Sequence, residues 1–83
     1  MDPAFLTYRL SKQIRQRRLN LGMTQADLAN LADLTRQKVI AVEKGSLSVG
    51  MYAYAKVLGA LDCELKVLPA MLPTLDEVHD LFD

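Results

Sequence analysis

Apolar residues recur at the helical period along most of the chain. Leu10, Ile14 and Leu21 share one face of a helix that is predicted from about Leu6 to Leu21. Gly22 follows, where a glycine with left-handed backbone commonly ends a helix. The first three residues are left without an assignment. A second set of apolar residues, near the middle of the chain, predicts two shorter helices.

A threonine marks the start of the second helix. Thr24 and Asp27 have the spacing of a capping box, with Asp in place of the usual Glu. The predicted buried stripe of this helix consists of Leu28, Leu31 and Ala32. Asp33 and Leu34 form the turn that follows. Asp adopts the left-handed conformation more readily than most residues, though less readily than Gly.

Thr35 caps the third helix, and Gly45 ends it. At about 100° per residue, Val39, Val42 and Glu43 fall on one side. The other side is largely polar and basic; it comprises Arg36, Gln37, Lys38, Ile40, Ala41 and Lys44. Two short helices joined by a tight turn have the layout that places one helix end in the DNA major groove. Taken alone, these polar residues could equally form an ordinary solvated helix face.

The pattern changes near the end of the chain. A fourth helix is predicted after Ser48, with the apolar set Met51, Tyr54, Ala55, Leu58 and Leu61. Cys63, Leu65 and Val67 then alternate with charged residues, which predicts a short strand. No other segment has a strand pattern, so its backbone groups would lack partners within one chain. Pairing between two copies would satisfy them, and this is the main argument for a homodimer.

The charges divide the chain into two parts. Residues 1–56 carry nine Lys or Arg against four Asp or Glu, a net charge of +5, and residues 57–83 carry one against six, −5. The predicted domain boundary lies close to this change, with a helical domain over residues 6–62 and a dimerisation strand and acidic tail over residues 63–83. Thr74 caps a last segment, Leu75 to Phe82. The asymmetry indicates two different partners, or chance segregation in a short chain.

Composition argues against several classes of protein. The single cysteine, Cys63, allows no disulfide within the chain and fits a reducing cytoplasm. No apolar run approaches a membrane span and no signal peptide is recognisable, so a cytoplasmic protein without a membrane partner is expected. With His79 as the one histidine, and no Gly-rich phosphate loop, we expect neither an enzyme nor a metal or cofactor site.

Residues from about Leu10 to Leu61 resemble the phage-repressor-like (Cro/Xre type) helix-turn-helix family. The matching positions are Gln25, Leu28, Ala29, Ala32, Leu34, Val39, Val42 and the Glu-x-Gly at Glu43-Lys44-Gly45. Asp33 departs from the family, which usually has glycine in the turn. The resemblance implies an all-α, lambda-repressor-like DNA-binding domain of four to five helices. Two copies of this domain would pair as a dimer through the predicted C-terminal β-strand.

The resemblance also implies a role for each site residue. Arg36, Gln37 and Ala41 occupy the base-reading positions, and Gln25 contacts a phosphate while it buttresses the recognition helix. The chemistry agrees, because Arg can bond guanine O6 and N7 together and Gln can bond adenine N6 and N7. Ile40 could meet a thymine methyl group.

Other residues are expected to hold the DNA backbone or the fold. Lys38, Lys44 and Ser46 are the predicted phosphate contacts, which fix the register without reading sequence. In this family the pair matched by Arg18 and Glu43 is usually a partly buried salt bridge between the first and third helices. We therefore expect Arg18 to be structural and not a DNA contact.

The run from Val57 to Pro69, with Pro73-Thr74-Leu75-Asp76-Glu77, is similar to HipB-like antitoxins and related Xre-type partners of toxins. The leading hypothesis is a homodimeric transcriptional repressor that binds a palindromic double-stranded DNA operator and regulates its own operon. The alternative is an antitoxin whose main role is to neutralise a HipA-like or other toxin protein. In that case the acidic tail would contact a basic toxin surface, or remain disordered. A third hypothesis, a dimer controlled by a small ligand, lacks a pocket signature.

Overall fold

The computed structural model describes residues 1–82, which are all-helical apart from their connections. Asp83 and the side chain of Phe82, a predicted apolar position, lie outside the described residues. The helices are α1 (Pro3–Asn20), α2 (Gln25–Ala32), α3 (Arg36–Glu43), α4 (Met51–Ala60) and α5 (Leu75–Phe82). Over this range, no helix has the length and apolarity that crossing a membrane requires.

Helix α1 begins three residues earlier than its apolar pattern predicts. The Asp2 carboxylate accepts a hydrogen bond from the Ala4 amide at 2.7 Å, and Pro3 occupies the first turn, where its missing N–H costs nothing. Ile14 is buried, as predicted, but Leu21 follows the end of the helix and is 47% exposed. Asp2 and Pro3, where the apolar pattern predicts no helix, therefore form the helix start.

Helix α2 has the predicted capping box. The Thr24 hydroxyl accepts from the Asp27 amide at 3.0 Å, and the Asp27 carboxylate accepts from the Thr24 amide at 2.9 Å. Hydrogen bonding to the Asp27 carboxylate by Thr24, through its backbone amide first and its side chain second, lowers the pKa of Asp27. Asp33 adopts the predicted left-handed conformation with φ 56°. The predicted buried stripe of α2 is wrong at Leu31, whose side chain is 60% exposed. Ala29 faces the interior in its place.

Helices α3 and α4 differ in how they begin. The Thr35 hydroxyl caps α3 as predicted, accepting from the Lys38 amide at 3.2 Å. The prediction that Ser48 caps α4 is wrong. Gly50 occupies the N-cap position of α4, and no side chain donates or accepts a capping hydrogen bond there. Ser48 cannot reach the helix because it is held within its own turn, where its hydroxyl pairs with the Ser46 hydroxyl at 2.8 Å.

The core lies among the first four helices. Helix α3 packs against α1, α2 and α4, and α2 also packs against α4. The largest fully buried side chains are Ile14, Leu28, Leu61, Val39, Val42 and Val57. This arrangement buries one flank of α3 and leaves the opposite flank at the surface.

The predicted strand at Cys63, Leu65 and Val67 does not form. The Cys63 amide donates to the Leu58 carbonyl at 2.9 Å, as part of the end of α4. Residues 64–73 have no regular secondary structure, and their backbone makes no hydrogen bond within residues 1–82. The physical reason is that a strand needs a second strand, and one copy of this chain supplies none.

Candidate nucleic-acid interface

The turn between α2 and α3 is held from two sides. Leu34 donates its amide to the Ala29 carbonyl at 2.9 Å, which closes the end of α2. From α4, the Lys56 ammonium donates to the Asp33 carbonyl at 3.2 Å and lies 3.8 Å from the Asp33 carboxylate. Lys56 also lies over the Tyr52 ring, 4.9 Å from its centroid. Sequence reasoning missed this role of Lys56, since nothing in the local pattern links positions 33 and 56.

The outward flank of α3 carries exposed polar and basic side chains. Arg36, Gln37, Lys38 and Lys44 are exposed, and they make no side-chain hydrogen bond or ion pair with the described residues. Ile40 and Ala41 lie between them and are half-buried. The inward flank is different, since Val39 and Val42 are fully buried. The predicted base-reading residues thus lie on one side of α3, where Arg36 and Gln37 are exposed and Ile40 and Ala41 are half-buried.

Arg18 and Glu43, the predicted ion pair, are in contact and almost wholly buried. Two guanidinium nitrogens of Arg18 donate to the two Glu43 carboxylate oxygens at 2.7 and 2.9 Å, and a third donates to the Met23 carbonyl at 2.8 Å. The Arg18 and Glu43 side chains are 8% and 3% exposed. The hydrogen bonds to Glu43 raise the pKa of Arg18. This bidentate pair fixes the end of α3 on α1.

Gln25 lies at the start of α2, beside the same ion pair. Its side-chain amide donates to Glu43 at 3.4 Å, and the residue is half-buried. The Gln25 side chain therefore contacts the C-terminal end of α3. A phosphate bound at the N-terminal end of α2 would be stabilised by the positive end of that helix's dipole.

Hydrogen bonds from side-chain hydroxyls and a close approach to the α1 backbone fix the loop after α3. The Tyr54 hydroxyl donates to the Ser46 carbonyl at 2.8 Å, while the Ser46 hydroxyl is paired with Ser48. Gly45 has φ +72°, and a Cβ there would lie 3.0 Å from the Thr7 carbonyl oxygen of α1. Only glycine combines this backbone conformation with so close an approach. Lys44 and Ser46 are thereby held at one end of the exposed surface.

The remaining predicted residues do not join this surface. Cys63 is a free, half-buried thiol after α4, and His79 is exposed on α5. Within residues 1–82, no group of three or more His, Cys, Asp or Glu is placed to hold a metal ion. The exposed side chains of Arg36, Gln37, Lys38 and Lys44 present hydrogen-bond donors and positive charge on the outward flank of α3.

The fold and this surface together define a helix-turn-helix DNA-binding domain. The sequence model of the helix-turn-helix family matches residues 14–68, about two thirds of the chain. The chain belongs to this family, in its Xre-like form, whose members are DNA-binding transcription regulators. The predicted family is thereby confirmed.

Two curated relatives support the same assignment. An uncharacterized HTH-type transcriptional regulator of Methanothermobacter thermautotrophicus is 41% identical over 51 residues, covering 61% of this chain and 74% of that protein. A second uncharacterized HTH-type transcriptional regulator, from Sinorhizobium fredii, is 27% identical over 78 residues, covering 93% of this chain. The match spans only 40% of the length of this second protein.

Proposed function

We propose that the protein is a sequence-specific regulator of transcription that binds a palindromic operator as a homodimer and represses its own gene. The observation that carries the proposal is the exposed flank of α3, where Arg36 and Gln37 are free of any partner within the described residues. Arg would read guanine and Gln adenine in the major groove, with Ile40 and Ala41 making apolar contact.

The phosphate contacts are assigned to residues around this flank. Lys38 and Lys44 are exposed, uncompensated charges on α3, and Gln25 lies at the N-terminal end of α2. Ser46 can offer its backbone or hydroxyl from the loop that Tyr54 anchors. Contacts of this kind set the position of the domain on the duplex, and they leave sequence recognition to the base-reading residues.

Selection of bound duplexes from a random pool tests the proposal most directly. The expected product is a pair of inverted half-sites whose centres lie about 34–36 Å apart, one turn of the double helix. Enrichment of single or unrelated sites would contradict the palindrome. No enrichment at all, with the protein folded, would contradict sequence-specific binding.

Two kinds of substitution should then behave differently. Arg36→Ala or Gln37→Ala should cost about 1–3 kcal/mol at one base position and relax the preference there. Lys44→Ala should weaken binding to all duplexes alike and reduce the slope of log affinity against log salt by about one unit. Lys44→Arg, which keeps the positive charge at the same position, is the matched control and should leave the salt slope unchanged.

The alternative, an antitoxin that binds a toxin through its acidic tail, has weaker support. Glu77 and Asp80 of the tail face α1 and bind its basic residues, so their charge is already compensated. Deleting residues 70–83 separates the two functions. Retained DNA selection with loss of a co-purifying toxin would favour the antitoxin, whereas a deletion that affects DNA binding alone would exclude a toxin-binding tail.

A further inference from the structure

Helix α1 carries basic residues that the interface on α2 and α3 does not include. Arg9, Lys12 and Arg15 follow one another at intervals of three positions, so they lie along one side of the helix. We call these three residues the α1 basic surface. It lies apart from the buried side of α1, which holds Ser11 and Arg18. Its positive charge is therefore available at the surface of the domain for a partner of opposite sign.

The α1 basic surface adjoins the loop that follows the recognition helix. A Cβ on Gly45 would lie 3.0 Å from the Thr7 carbonyl oxygen and 3.2 Å from the Tyr8 amide nitrogen. Lys44 precedes Gly45 in the chain, and Arg9 follows Tyr8. The Lys12 ammonium lies over the Tyr8 ring, 5.5 Å from its centroid. The basic side chains of α1 therefore continue from the end of α3 that carries Lys44.

Helix α5 covers two of the three cations. The Arg9 guanidinium donates to both carboxylate oxygens of Glu77, at 2.6 and 3.1 Å. One turn further along α5, the Asp80 carboxylate accepts from the Tyr8 hydroxyl at 2.9 Å and lies 3.7 Å from the Lys12 ammonium. Arg15 is exposed and makes no ion pair with the described residues. Two charges of the surface are thus neutralised by α5, and the third is not.

The covering carboxylates have the chemistry of the groups that DNA presents. A guanidinium that holds a carboxylate through two N–H bonds can hold a phosphate with the same geometry. The side chains of Lys12 and Asp80 are each 57% exposed, and ion pairs this exposed contribute little to stability. The acids of α5 therefore occupy, with a weak hold, positions on Arg9 and Lys12 that phosphates would take.

We propose that the α1 basic surface is a second phosphate-binding site for duplex DNA, and that α5 restrains DNA binding by holding Arg9 and Lys12. The inference rests on the proposed function for DNA as the ligand, and it adds a site outside α2, α3 and their loop. The physical basis is counterion release. A free cation that contacts a phosphate displaces a counterion from the duplex, whereas for a cation already paired with a carboxylate much of this gain is lost.

Neutralising the two acids of α5 tests the cover, with affinity measured by fluorescence anisotropy on a labelled random-sequence duplex. Glu77→Gln combined with Asp80→Asn should raise the affinity of the full chain at least about tenfold at low salt, because two cations become available for phosphates. Asp62→Asn combined with Glu64→Gln is the matched control. It removes the same charge from two exposed acids that make no ion pair with the described residues. It should raise the affinity less than about threefold.

Equal gains from the two double variants would overturn the proposal, because the gain would then follow from net charge alone. No gain from Glu77→Gln with Asp80→Asn would also overturn it, since the two cations would then have no use for phosphate. Circular dichroism of each variant shows whether the helices of the domain are kept.

Removing the cations from the uncovered protein identifies the site of the gain. In the variant that lacks both acids, Arg9→Gln with Lys12→Gln should return the affinity to within about threefold of the wild type. The slope of log affinity against log salt should fall by about 1.8, at about 0.9 for each phosphate contact. In the wild type the same pair should change the affinity less than about threefold, because α5 already holds both cations.

A gain in affinity that survives the loss of both cations would place the effect elsewhere and contradict the proposal. Lys12→Gln alone, at the more exposed ion pair, gives the same comparison if the substitution at Arg9 unfolds the chain.

Arg15 provides an internal control on the same helix. Because α5 does not cover it, Arg15→Gln should weaken binding by the same factor whether or not the acids of α5 are present. A loss that depends on those acids would contradict a cover limited to Arg9 and Lys12. Arg15→Gln without effect in either protein would remove Arg15 from the phosphate-binding site.

The outcome can be distinguished from failure of the proposed function. Selection from a random pool reports on base reading by α3, and affinity for the random-sequence duplex reports on the α1 basic surface. A protein that selects no sequence but binds more tightly once uncovered would overturn base reading and leave this site intact. A protein that selects its operator, with an affinity that does not respond to the acids of α5, would overturn this inference alone.

Discussion

Replacing Glu43 with alanine tests the contact that holds the recognition helix on the fold. The Glu43 carboxylate accepts two hydrogen bonds from Arg18 and a longer one from Gln25, and its side chain is 3% exposed. Without it the Arg18 guanidinium, itself 8% exposed, is a buried charge with only the Met23 carbonyl as partner. Leaving one member of a buried pair uncompensated costs about 3–5 kcal/mol. Small domains are stable by only about 5–15 kcal/mol in total, so much of the stability should be lost.

Urea unfolding followed by circular dichroism measures this loss. For a dependence of about 2 kcal/mol per molar urea, a loss of about 4 kcal/mol lowers the midpoint by about 2 M. The matched control is Glu64→Ala, which removes an exposed carboxylate without an ion pair in the described structure and should change stability by less than about 0.5 kcal/mol. Equal midpoints for the two variants would refute the reasoning.

A double substitution separates charge from geometry. If the penalty comes from the uncompensated guanidinium, replacing both partners with apolar residues of similar size should recover most of the lost stability. Arg18→Met combined with Glu43→Leu should therefore be far more stable than Glu43→Ala alone. A double variant as unstable as the single one would show that the orientation of the hydrogen bonds, and not the buried charge, sets the cost.

Two further predictions follow from the loop and from α5. Gly45→Ala should lower the free energy of unfolding by about 1–3 kcal/mol, measured by urea unfolding. The reason is that the backbone has φ +72° and the new Cβ would lie 3.0 Å from the Thr7 carbonyl oxygen. The hydrogen bonds from Arg9, with that from the Thr74 amide, lower the pKa of Glu77 from 4.5 to about 2. The attachment of α5 should be complete above pH 4.5 and be lost as the pH falls toward 2, as seen in amide NMR signals of residues 75–81.

Each of these predictions has a control. Gly59 lies inside α4 with open space around it, so Gly59→Ala should stabilise the protein by about 0.5–1 kcal/mol. Losses of equal size at positions 45 and 59 would contradict the argument from close approach. For α5, Glu77→Gln should remove the pH dependence of the signals between pH 4.5 and 2. A titration that survives this substitution would have to come from another group.

Local chemistry made much of the helix-turn-helix predictable. The Thr24 capping box and the Thr35 cap each join residues three positions apart, and Asp33 takes its left-handed conformation within a single turn. The errors were also local in origin. Leu31 satisfies the helical period but points to solvent, because the period alone does not say which side of a short helix its neighbours cover.

Contacts between distant parts of the chain could not be predicted in this way. The Lys56–Asp33 pair joins positions 23 residues apart, and Glu77 binds Arg9 across 68 residues. The sequence showed the acidic tail and its amphipathic pattern, yet gave no sign that the acidic side would face α1. That orientation depends on where the tail returns to the fold.

Apolar period, threonine caps and turn residues by themselves determined three features of this protein: the helices, the tight turn, and the side of α3 that carries Arg36 and Gln37. These features depend on hydrogen bonds and steric limits that act within one helical turn. The tertiary structure alone decided that residues 63–67 stay unpaired in a single chain, and that Glu77 and Asp80 of α5 face α1. Both depend on which surfaces meet across long stretches of sequence, where the pattern of neighbouring residues carries no information about the partner.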